Sequence, residues 1–141
     1  MKVNTVNQIP NSLTDQAVCE SILDMENWQI DPKAQYFGLC VNETIGGIEF
    51  NQSMMRKIIN RIKAENPEMI IAADMCSNLG SQDLSREGLW DDLGIIYSSS
   101  SKNFGTSGFC FTLIRDDVLD RVKSNNAHSK LPIPVNMDWV S

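Results

Sequence analysis

The sequence predicts an α/β fold with a mainly parallel or mixed sheet, and three features of its 141 residues carry that expectation. Short apolar runs alternate with a segment of helical period. One run, Met69-Ile-Ile-Ala-Ala73, is apolar throughout, as in a parallel strand covered on both faces. Polar groups stand directly after three of the runs, at the strand carboxyl ends where α/β sheets collect their ligands.

The elements follow in order. Met1–Pro10 is polar, with Val3 and Val6 suited to a short edge strand. Ser12-Leu-Thr-Asp15 has the form of a capping box, with Asp where Glu is usual, and opens a helical run through Ala17, Val18, Ile22 and Leu23. Trp28 to Pro32 reads as a turn, and Gln35 to Val41 as a buried strand. Gly46-Gly47 marks a tight backbone position before Ile48-Glu-Phe50. Between Ser53 and Glu65, Met54, Ile58, Ile59 and Ile62 share a helical face opposite Arg56, Lys57, Arg61 and Lys63, and Asn66-Pro67 stops the helix. A polar stretch from Cys76 to Asp92 precedes two further strands, Leu93–Tyr97 and Gly108–Ile114. Arg115 to Val122 starts a helix with acids in its first turn, where the helix dipole favours them. The expectation is one domain over 1–141, poorly defined at 1–11 and loop-rich over 124–141.

Hydrophobic residues at 42% and charged residues at 21% are ordinary for a soluble globular chain. Twelve Lys and Arg against eighteen Asp and Glu leave a net charge of −6, which argues against nucleic acid or an anionic membrane surface as partner. No apolar stretch approaches the ~20 residues that span a bilayer. Cys19, Cys40, Cys76 and Cys110 form no CxxC pair and the one His is His128, in the polar tail, so a metal site is not expected. With no leader peptide evident, the sequence reads as a cytoplasmic protein with reduced thiols, Cys40 and Cys110 buried in strands. Met54, Met55 and Met69 read as core or interface packing, and Trp90 also as packing.

The three loops after strands are Asn42 to Gly47, Asp74 to Asn78 and Ser98 to Gly108. An acid at one strand end and Lys102 beyond its neighbour suit a cofactor that needs both. Pyridoxal 5′-phosphate (PLP) has a ring nitrogen that an aspartate keeps protonated, and an aldehyde that a lysine amine holds. From the residues alone a plainer reading stays open, in which Asp74 caps a turn and Lys102 is a solvated loop lysine. Gly105-Thr-Ser-Gly108 lacks the Gly-Lys-Ser/Thr ending of a nucleotide-binding loop.

The wording of the loops is more specific. Tyr36-Phe-Gly-Leu-Cys-Val-Asn42-Glu-Thr-Ile-Gly-Gly-Ile-Glu-Phe50 resembles the Asn-Glu-Thr segment of phosphoserine aminotransferases. Ala73-Asp74-Met-Cys-Ser-Asn78 resembles their Asp-Met-Ser-Ser segment. Gly94-Ile-Ile-Tyr97, Lys102-Asn-Phe-Gly-Thr-Ser-Gly108 and Thr112-Leu-Ile-Arg-Asp-Asp-Val-Leu119 resemble their lysine segment and the strand and helix after it. The resemblance runs in order from about Trp28 to Val122.

It implies an incomplete three-layer αβα large domain of a PLP-dependent transferase. The activity implied is transfer of an amino group from glutamate to 3-phosphohydroxypyruvate, in serine biosynthesis. Lys102 takes the covalent cofactor role, Asp74 the ring-nitrogen role and Thr44 a hydrogen bond near the ring oxygen. Ser101 stands where the family has a phosphate-binding glutamine, and Cys76 where it has a serine that supports the aspartate. Small amino and oxo acids are the implied partners, with a homodimer as the implied assembly. The family's glycine-rich phosphate loop and Asn-Thr-Pro segment are expected upstream and downstream of these residues. The alternative is a non-catalytic remnant that keeps the fold without turnover.

Overall fold

In a computed structural model, the structure describes residues 24–128 and Asp138. The expected first helix from Ser12, the Val3–Val6 strand and Cys19 lie outside the described residues, as does most of the proline-rich tail.

The apolar runs become strands where the sequence places them. These are β1 (Tyr36–Cys40), β4 (Ile70–Asp74), β5 (Leu93–Ser99) and β6 (Cys110–Ile114), in the order β1-β4-β5-β6. β1 with β4 and β4 with β5 are parallel, while β5 with β6 is antiparallel. The sheet is therefore mixed. The Gly46-Gly47 turn joins a small antiparallel hairpin, β2 (Asn42–Glu43) and β3 (Ile48–Glu49), with Gly47 at φ +68° where a side chain would be strained.

Between them, α1 (Gln52–Glu65) starts at Asn51, whose side chain accepts from the Met54 N–H at 2.9 Å. It ends at Asn66, and Lys63 Nζ donates to the carbonyls of Pro67 and Met69, which helix end and loop would otherwise leave unpaired. Its fully buried face is Met55, Ile58, Ile59 and Ile62. Met55 takes the place expected for Met54, because 55, 58, 59 and 62 follow the i, i+3, i+4, i+7 spacing of one stripe. Met54 packs half-buried at the rim. Burying each isoleucine contributes about 1.5–3 kcal/mol, far more than the small helix-propensity cost of branching at Cβ.

Those side chains share one core with Leu39, Val41, Ile71, Ala73 and Ile96 on a single face of the sheet. Across the sheet, Leu39, Ala73 and Ile96 lie in register. The polar stretch after β4 also joins this core through Leu79, Leu84 and Leu89. Arg56 of α1 ties it down, bonding the Asp92 carboxylate and the Glu87 carbonyl. Leu89 and Asp92 bound a one-turn helix, α2, on which Trp90 is 45% exposed. Trp90 does not pack as expected, because Leu89 is the residue of that turn that faces inward.

Four other expectations are corrected. β4 is covered fully on one face only: Ile71 and Ala73 are buried, while Ile70 and Ala72 are half-buried. α3 (Asp116–His128) reaches the second face through buried Val118 and begins the third layer, in keeping with the incomplete αβα domain expected. Cys40 and Cys110 are exposed, since they fall on that second face, with parity opposite to Leu39. Ser98 and Ser99 belong to β5, and residues 124–128 continue α3 instead of forming loop. The helix-breaking prolines come only at Pro132 and Pro134.

A Cβ added at Gly94 would stand 2.7 Å from Ile70 Cγ2 and 3.3 Å from Val118 Cγ2. Gly94→Ala is expected to lower stability in urea unfolding by about 1–3 kcal/mol, the cost of overpacking. Gly38→Ala, with nothing within 4 Å of the added carbon, serves as the near-neutral control.

Candidate functional site

Because β1, β4 and β5 are parallel, their carboxyl ends lie along one edge. The three loops singled out in the sequence meet there. Register pairs Cys40 with Asp74, Asp74 with Tyr97 and Tyr97 with Thr112, which sets the four side chains in one row on the open face. Asp74 is the last residue of β4 and is half-buried. Its Oδ1 accepts the Cys76 N–H at 2.9 Å, and its backbone carbonyl accepts from Val41 at 3.0 Å.

Three neighbours register the negative charge of this carboxylate. Although Cys40 is exposed to solvent, partial desolvation at the sheet surface and then the Asp74 charge push its thiol up. Burial and a bond to Asp74 push the Cys76 thiol up. Burial, with Asp74 second, raises the Tyr97 phenol, which is 41% exposed on the same row. Like charge beside like charge disfavours the ionised form in every case. Cys76 also joins the two strand ends, since its Sγ accepts the Ser99 N–H at 3.3 Å.

The loop after β5 is pinned from within. Ser100 is buried; its hydroxyl donates to the Thr106 carbonyl at 2.6 Å and accepts the Phe109 N–H at 3.1 Å. Gly105 and Gly108 take φ of +127° and +117°, which side chains rarely adopt. Phe104 packs on Phe111 with ring centroids 4.6 Å apart, and Asn103 Nδ2 donates to the Leu79 carbonyl at 2.8 Å. Lys102 rides on this loop, exposed, and its Nζ donates to Ser77 Oγ at 2.8 Å. Ser101 is exposed and its hydroxyl lies 2.9 Å from that of Ser99.

The structure thus brings Asp74, Cys76 and the Lys102 loop together through the turn after β4. Thr44 is not joined to them: it stands exposed in the hairpin turn, and among the described residues no hydrogen bond links it to Asp74 or Lys102. Its neighbour Glu43 does feel the Lys102 charge, but the Gly46 and Ile45 N–H groups are the main cause of its lowered carboxyl pKa. The residues the sequence did not single out are Ser77, Cys40 and Tyr97. Strand parity points to the last two once the register is known. Ser77 carries no local signal.

The site thus offers a carboxylate, an amine and several hydroxyls at adjacent strand ends. The family model for class-V aminotransferases matches residues 6–132. The chain is 34% identical over 100 residues to the phosphoserine aminotransferase of Nitrosomonas europaea, covering 71% of this chain and 25% of that protein. It is 33% identical over 115 residues to that of a Janthinobacterium species, covering 81% and 26%. The chain therefore spans about a quarter of the length of the curated relatives it matches. Among solved structures, a phosphoserine aminotransferase from Cytophaga hutchinsonii superposes with a TM-score of 0.61 at 21% identity, over 75% of this chain and 27% of that one. An aspartate aminotransferase from Thermus thermophilus gives 0.54 at 21% identity, over 71% and 26%. These superpositions bear on the fold.

Asp74→Asn removes the charge that opposes ionisation of Cys40 while leaving its partial desolvation in place. The Cys40 thiolate should then form at lower pH, and its alkylation by iodoacetamide at a fixed mildly alkaline pH should be faster. A pH–rate profile for the Cys40 peptide, unchanged by the substitution, would contradict this electrostatic arrangement.

Proposed function

The chain belongs to the class-V aminotransferase family, and from that premise we propose that it forms the cofactor-holding part of a PLP-dependent transaminase of the phosphoserine type. The observation that carries the reading is the meeting of two strand ends, with Asp74 closing β4 and Lys102 turned back onto Ser77 of the turn that follows it. The residues fit PLP in kind. A carboxylate lies at the sheet edge, a primary amine is open to a carbonyl carbon, and paired hydroxyls stand beside it.

When bound, PLP supplies a protonated ring that withdraws electrons from the substrate α-carbon. Asp74 would hold the cofactor at its ring nitrogen, where a negative charge favours the protonated ring. Cys76 keeps that carboxylate aimed, through its backbone N–H on Oδ1. Lys102 Nζ would hold the cofactor at its aldehyde and, when free, would serve as the base at the substrate α-carbon. On the family pattern Thr44 would donate near the ring oxygen and Ser101 to the phosphate, although the hairpin turn holds Thr44 apart from Asp74 and Lys102. A serine hydroxyl has a shorter arm than the family's glutamine, so Ser101 contributes less than that residue does. The amino donor on this reading is glutamate and the acceptor 3-phosphohydroxypyruvate, with a homodimer as the working assembly.

One observation favours the second reading, a fold-retaining chain without turnover. The sheet face bearing Tyr36, Cys40, Tyr97 and Thr112 is exposed among the described residues, so a cofactor at Asp74 would be open to water there. Titration with PLP separates the two. The proposal expects a saturable shift in visible absorbance that Lys102→Ala abolishes and Asp74→Ala weakens by tenfold or more, the order of ~1.4 kcal/mol or above for a charge-assisted contact. The same spectrum in the Lys102→Ala chain would reject the assignment.

A further inference from the structure

Lys102 lies on an exposed loop, and a lysine there ordinarily spreads its amine over many rotamers in water, at an entropic advantage. Here its Nζ instead donates to Ser77 Oγ at 2.8 Å, a partner 25 residues away in sequence. Ser77 is half-buried and belongs to a turn fixed from several directions. The Cys76 N–H bonds Asp74 Oδ1, and the Asn78 and Leu79 N–H groups both reach the Met75 carbonyl. The buried Asn78 amide donates to Glu49 at 3.1 Å. The Lys102 loop is moored to that turn a second time, by Asn103 on the Leu79 carbonyl. Ser77 is therefore held in the same rigid frame as Asp74, while Lys102 is not.

We propose that Ser77 is a positioning residue for Lys102, its hydroxyl accepting the lysine N–H and keeping the amine at the Asp74 end of the sheet. This deepens the cofactor reading and rests on it for the meaning of Lys102. Glu43 and Cys76 both sense the Lys102 charge, a small effect in each case, in keeping with an amine held against Ser77. One hydrogen bond, net of water competition, is comparable to the rotamer entropy it opposes. Ser77 thus biases the position of the amine without locking it, as a lysine that must attach to and leave a carbonyl carbon requires.

The test compares Ser77→Thr with Ser77→Val, two side chains of nearly equal shape that differ in the hydroxyl. In the chain without cofactor, trace acetylation is followed by peptide mass, with exposed Lys33 and Lys57 as internal references. Relative to these, Lys102 in the Thr variant should react as in the unsubstituted chain. In the Val variant it should react roughly two- to fivefold faster, since the bond that occupies its N–H is gone. The rate of the borohydride-fixed PLP adduct at Lys102 should fall by a similar factor in the Val variant alone. Equal Lys102 acetylation in the Thr and Val variants overturns the proposal, whatever PLP does. A clear acetylation difference in a chain that takes no PLP supports the hold of Ser77 on Lys102 and counts against the cofactor reading alone.

Discussion

The candidate site depends on the register of two parallel pairings, β1 with β4 and β4 with β5. That register aligns Cys40, Asp74 and Tyr97 across the sheet and brings the three following loops to one edge. A slip of one residue in β4 would turn Asp74 to the α1 side and send Ala73 outward. The register is held by the opposite face, where Leu39, Ala73 and Ile96 pack with Met55, Ile58 and Ile62 in one core. The hydrophobic face thereby fixes the position of the polar one. Asp74 is placed by burial of its neighbour in sequence, and its carboxylate needs no partner within the core.

The sheet is unequal in its two faces. α1 and the stretch from Leu79 to Leu89 cover one, whereas α3 touches the other through Val118. The uncovered face carries Cys40, Asp74, Tyr97 and Thr112, while Phe111 of β6 turns to the opposite side with Ser98 and Ile96. With that face open, half-buried Asp74 is only partly insulated from water. Its influence on Cys40, Cys76 and Tyr97 survives because those groups are its immediate neighbours along and across the strands.

Much of this was legible in the sequence. The four sheet strands and α1 follow from apolar runs and a 3.6-residue period, and the Asn66-Pro67 stop fell where expected. Asp74 and the Lys102 loop could be named because strand ends in α/β sheets collect function. The family resemblance then gave them roles. Parity was harder. A short apolar run such as Tyr36–Cys40 does not reveal which alternate residues face the helix, so Cys40 was misplaced inward. Trp90 failed for a similar reason, since one helical turn buries a single side chain and that is Leu89. Ser77 was invisible because its partner is 25 residues away and reaches it only when two loops meet. Thr44 shows the converse: the motif names it, yet its hairpin turn leaves it apart from Asp74 and Lys102.

The most direct measurement is to incubate the chain with PLP, reduce with borohydride and map the pyridoxyl group by peptide mass. The account predicts one stoichiometric adduct, on the peptide carrying Lys102, with Lys33, Lys57, Lys63 and Lys123 essentially unlabelled. Labelling scattered over those lysines, or none at all, would contradict it and leave the family fold without its cofactor site.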